Sequence, residues 1–115
     1  MDEHDVRLRM TQLTGKFLQR ARTETAFLHE LIERAHSADA ATIDQVEHLA
    51  HRIHGSGMTF GFPEVGKCAA EIEHSIEKFR LRTSSTKAAM EPELQQCLLE
   101  CVRRLAREIE VAAAQ

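Results

Sequence analysis

Apolar positions recur along this chain at intervals of three and four. Val6, Met10, Leu13, Phe17, Ala21, Leu28, Leu31, Ile32 and Ala35 keep that spacing over the first third, which places them on one face of an amphipathic helix. Thr14 and Gly15 interrupt the run, so the pattern predicts a short helix over about residues 3–13 and a longer one over about 16–36, with His36 to Ala38 turning the chain. Asp39 is a candidate N-cap for a helix over about 39–58, whose stripe Ile43, Val46, Ala50, Ile53, Gly57 and Phe60 steps by 3, 4, 3, 4 and 3. Gly61, Phe62 and Pro63 break it, and Pro63 suits the first turn of the next helix, about 63–80, with Val65, Cys68, Ala69, Ile72, Ile76 and Phe79 facing inward. From Leu81 to Met90 the period is lost and hydroxyl residues accumulate, which reads as the longest loop. A last helix, about 91–112, opens on Glu91-Pro92-Glu93 at the positive end of its dipole and turns Leu94, Leu98, Cys101, Leu105 and Ile109 inward.

Four long stripes joined by short links have one economical way to hide from water: an all-α, antiparallel four-helix up-down-up-down bundle, with the short N-terminal helix covering one end. Composition agrees. In 115 residues, 43% are apolar and 29% charged, enough for one folded domain over 1–115 and too few residues for two. A net charge of -3 and the absence of Trp and Tyr argue against nucleic acid as a partner, because neither a positive field nor stacking platforms are at hand. No apolar run approaches the roughly 18 residues of a membrane span, and MDEHDVRLRM begins acidic where an export signal begins basic. The expectation is a cytoplasmic protein off the membrane, and a start at Met1 favours a free-standing chain. Three cysteines, Cys68, Cys97 and Cys101, sit inside apolar helical patterns in odd number, which suits reduced, buried thiols better than disulfides.

The chemistry gathers on the helix over 39–58. At 100° per residue its apolar stripe points roughly 130° away from His51, which therefore faces solvent. The segment around it, Leu49-Ala50-His51-Arg52-Ile53-His54-Gly55-Ser56-Gly57-Met58-Thr59-Phe60-Gly61, holds three glycines. Each glycine inside a helix costs about 0.5 to 1 kcal/mol relative to alanine, so Gly55, one turn beyond His51 on the same face, calls for a use: it clears space beside the imidazole. Because Cβ bonds tilt toward the helix N-terminus, the His51 ring is expected to lean over Glu47 and take its orientation from that carboxylate.

This segment resembles the motif of histidine phosphotransfer (HPt) domains, His-x-Leu-Lys-Gly-Ser followed by a second glycine after the helix. His51 corresponds to the phosphoacceptor, Ile53 to the apolar position, Gly55 and Ser56 to Gly-Ser, and Gly61 to the later glycine. One departure stands out: His54 occupies the place of the usual lysine, and a histidine carries only part of a charge near neutral pH. Arg52 is a second cationic candidate, although it points to the other side of the helix. The resemblance implies a phosphoryl carrier without kinase activity of its own, exchanging phosphoryl groups with aspartates on receiver domains of response regulators and hybrid sensor kinases. It implies no cofactor in this chain, with Mg2+ held by the partner. Met58, one turn beyond Gly55, and His48 are expected to meet the docked partner, and the chain is expected to act as a monomer.

Two other readings compete. A metal-binding bundle through His48, His51 and His54 is disfavoured, since steps of three drift about 60° round a helix and no carboxylate-histidine pattern appears on the other helices; the expectation is no metal. A helical interaction module with an incidental histidine leaves Gly55 without a use.

Overall fold

The computed structural model describes residues 2–34 and 40–115. The expected turn at His36 to Ala38, the expected N-cap Asp39 and the stripe residue Ala35 lie outside them. Among the described residues there are four helices and no strand: α1 (Glu3–Glu33), α2 (Ala40–Thr59), α3 (Pro63–Thr83) and α4 (Pro92–Ala113).

The first helix corrects the sequence expectation of a separate short N-terminal helix, for α1 runs unbroken through Thr14 and Gly15. The Thr14 hydroxyl donates back to the carbonyls of Met10, at 3.0 Å, and Thr11, at 2.9 Å, so it does not draw the backbone out of the helix. A glycine costs about 1 kcal/mol there, and without a proline nothing forces a break. Asp2 caps the start by accepting from the Asp5 amide at 2.9 Å. Val6, Met10 and Leu13 are exposed, so the apolar stripe of α1 does its packing only from Phe17 onward, through Ala21, Leu28 and Ile32.

At its other end α2 closes on glycine. Gly61 has φ +82°, the Phe62 amide reaches back to the Gly57 carbonyl at 2.8 Å, and the Gly61 amide to Met58 at 3.3 Å. This closure requires a residue at positive φ, which glycine adopts without strain. Pro63 then starts α3. The loop expected from Leu81 is shorter than the pattern suggested, because Leu81, Arg82 and Thr83 continue α3. The same type of closure ends the helix at Ser84, with the Ser85 amide bonded to the Arg80 carbonyl at 3.2 Å.

Each helix packs on the next and α4 returns to α1, while diagonal pairs stay apart. Cross-links fix the directions: Phe17 stacks on Phe60 and Arg52 reaches Glu24, so α1 and α2 are antiparallel. Gln95 donates to the Ile32 carbonyl and Arg22 to Glu110, so α4 runs against α1. Within this antiparallel ring Leu28, Ile32, Ile43, Ile53, Ile72, Ile76, Leu98, Leu105 and Ile109 are almost fully buried. No helix is long and apolar enough to cross a membrane among the described residues. The cysteines divide: Cys101 is buried and Cys68 half-buried, and burial pushes both thiols up, whereas Cys97 is exposed, contrary to its expected place in the core.

Candidate functional site

The close approach of α2 and α3 builds the site. A Cβ added to Gly57 would meet the Gly66 amide nitrogen at 2.9 Å, so these two glycines let the backbones touch. From that contact the antiparallel helices run side by side. His51 lies ten residues before Gly61, and Glu73 lies ten after Pro63, which brings them opposite one another.

Glu73 is the centre of the arrangement. One of its oxygens stands 2.9 Å from His51 Nδ1 and the other 2.9 Å from His54 Nδ1. Its side chain is 23% exposed, against 72% for His51, so a half-sheltered carboxylate anchors the inner edge of an outward ring. The two imidazoles meet edge to face with centroids 6.3 Å apart. An ionised carboxylate only accepts, so both contacts are hydrogen bonds when each ring carries its proton on Nδ1. The Nε2 atoms then hold the lone pairs, and that of His51 belongs to a ring open to solvent.

This overturns the expected role of Glu47. Its carboxylate accepts from Arg80 at 2.7 Å, and Asp44 pairs with the same guanidinium. The planar, permanently charged guanidinium engages Glu47, and the imidazole Nδ1 meets the α3 carboxylate instead. Arg52 is likewise committed elsewhere, donating to Glu24 on α1 at 3.1 Å. His54, in the position of the expected lysine, is half-buried and joins the ring pair through Glu73.

Gly55 stands as open as its position suggested: no atom would come within 4 Å of an added Cβ. The helix passes through it intact, with Thr59 donating to the Gly55 carbonyl at 2.9 Å. Ser56 is half-buried and its carbonyl accepts from the Phe60 amide. Met58 is 52% exposed while its sulfur rests over Gly66. His48 is exposed and shares with His51, Asp44, Glu47 and Glu73 a shallow depression of about 330 Å³.

Glu73, Arg80 and Gly66 shape the site without being singled out by the period of their own helix. Counting equal lengths out from the Gly61-Phe62-Pro63 turn would have found Glu73. Arg80 and Gly66 carry no periodic signal of their own, because each follows from how closely two helices cross.

An outward imidazole with one nitrogen tethered and the other free, beside a bare stretch of helix, is equipped to act as a nucleophile toward a group brought by another molecule. No curated protein and no solved structure matches the chain. The family model for the Hpt domain matches residues 12–113. With nearly its whole length covered, and with an exposed histidine on a helical bundle, the chain belongs to the Hpt domain family, whose domains serve histidine phosphotransfer in phosphorelays.

Proposed function

We propose that this chain carries a phosphoryl group on His51 Nε2 between aspartates of receiver domains of response regulators and hybrid sensor kinases, acting as a cytoplasmic monomer. The observation that carries the proposal is the 2.9 Å contact of His51 Nδ1 with Glu73, on a ring whose far edge is open to solvent.

The chemistry is an in-line displacement. The Nε2 lone pair forms a P–N bond as the P–O bond to the partner's aspartate breaks and that carboxylate departs. The partner's Mg2+ offsets charge on the transferring oxygens, and this chain contributes no cofactor. The proton stays on Nδ1, so the phosphorylated ring bears positive charge, and Glu73 lies where it offsets that charge. Bare backbone at Gly55 lets the receiver's active centre approach, with Met58 and His48 bordering the contact.

The test is incubation with a phosphorylated receiver domain. Acid-labile, base-stable label is expected on the chain and is expected to be lost in His51→Gln. Persistence of label in that variant, or none across several receivers, would overturn the assignment.

A further inference from the structure

Spacing on α2 alone argues against a metal site, because steps of three drift about 60° round a helix and leave His48, His51 and His54 unable to share one ion. The α2–α3 packing supplies a carboxylate. Ligand atoms of His51, His54 and Glu73 all lie within 4.8 Å of one another, and both Nδ1 atoms already point at the two oxygens of one carboxylate. Two imidazoles and a carboxylate are the donor set of borderline transition-metal ions. His51 and His54 are three residues apart on a helix, neighbouring positions of one face, while Glu73 comes from a second helix. The site is thus anchored on two rigid elements. His51 is outward and His54 and Glu73 half-buried, so an ion has an entry path and room for water as a further ligand.

We propose that His51, His54 and Glu73 form a two-histidine, one-carboxylate site for a divalent transition-metal ion, zinc in the first place, and that the bound ion blocks phosphorylation of His51. The first half stands on geometry alone; the second rests on the proposed carrier function. A neutral imidazole that coordinates through Nδ1 must carry its proton on Nε2. The lone pair needed to attack phosphorus is then gone, and the ion also replaces the hydrogen bond to Glu73. Magnesium does not substitute for zinc here, since it prefers an all-oxygen octahedron and keeps its waters. The Mg2+ that a receiver needs therefore leaves the site free.

Titration of the full chain with ZnCl2 by calorimetry, with excess MgCl2 present, is expected to give one ion per chain. Affinity is expected to fall about tenfold or more in Glu73→Ala and in His54→Ala, and to be unchanged in His29→Gln. Unfolding curves of the variants separate loss of a ligand from loss of fold. Titration with CoCl2 reads the ligands directly: visible d–d bands without a thiolate charge-transfer band support the site, and a thiolate band, placing the ion on cysteine, overturns it. So does unchanged affinity in folded Glu73→Ala. For the regulatory half, one equivalent of Zn2+ is expected to slow labelling of the wild type at least tenfold and to leave the labelling rate of His54→Ala, whatever its zinc-free value, unaltered. Equal inhibition of both overturns it. Labelling without zinc binding removes only this inference, whereas zinc binding without any labelling removes the carrier function, and with it the regulatory half, and leaves the metal site standing.

Discussion

At the residue scale, Glu73 decides which nitrogen of His51 is available. A hydrogen bond to a charged group contributes about 1.5 to 3 kcal/mol when well sheltered, and this one is only half-sheltered. Glu73→Ala is therefore expected to slow phosphotransfer about tenfold, which corresponds to about 1.4 kcal/mol of barrier, with little change in stability. Stopped reactions with a phosphorylated receiver measure it, and an unchanged rate would mean that the ring needs no tether. Thr25 presents the opposite case. It is 3% exposed and its hydroxyl has no hydrogen-bond partner among the described residues, so the fold carries the desolvation of that oxygen without recompense. Thr25→Val keeps the shape and removes the oxygen, and should raise the unfolding free energy by about 1 kcal/mol in urea denaturation.

At the scale of the elements, two glycines two residues apart on α2 have opposite consequences. Gly55 faces open space, so Gly55→Ala should stabilise the helix by about 0.5 to 1 kcal/mol. The longer Gly55→Gln should fold equally well and yet lower the transfer rate, since its side chain would stand in the proposed path of a receiver. Gly57 lies against the backbone of Gly66, and Gly57→Ala should cost about 1 to 3 kcal/mol because two helices must move apart. Thermal unfolding of the three variants orders them, and a stabilising Gly57→Ala would contradict the close crossing. This contrast also marks what was legible beforehand. The stripes of α2, α3 and α4 and the outward direction of His51 follow from periodicity, which is a property of one helix. The identity of the carboxylate beside His51 is a property of two, and tilt along α2 pointed to Glu47 because it could not count Arg80 from α3. The joined α1 escaped for another reason: Thr14 and Gly15 are weak breakers whose cost a long helix absorbs. The Arg22–Glu110 bridge between α1 and α4 adds a pH signature. Paired with the guanidinium, the Glu110 carboxyl is held below the ordinary carboxylate range. Its folded value being the lower one, its contribution is present above the ordinary range and is lost as pH falls through the folded value. Being exposed, the pair is expected to matter little at high salt.

For the whole molecule, the length of α1 sets the shape. Its 31 residues span about 46 Å at 1.5 Å each, against about 30 to 33 Å for the 20 to 22 residues of the others, and the longest dimension is 54 Å. The excess lies at its N-terminal end, where residues 2–13 are all exposed. The packed bundle begins at Phe17, whose ring stacks on Phe60 at 5.2 Å and on Phe62 at 6.0 Å and so closes the end of the core around the α2–α3 turn. That turn fixes the register placing Glu73 opposite His51. Removing residues 2–11 is therefore expected to shift the midpoint of thermal unfolding by less than about 4 °C, corresponding to under 1 kcal/mol for a domain of this size, and to leave the rate of phosphotransfer unchanged. Phe17→Ala, by contrast, takes a buried ring out of the closure and should cost about 3 kcal/mol or more. A truncated chain that unfolds as readily as Phe17→Ala would show that the projecting turns of α1 support the bundle after all, and that the stack is not where the core ends.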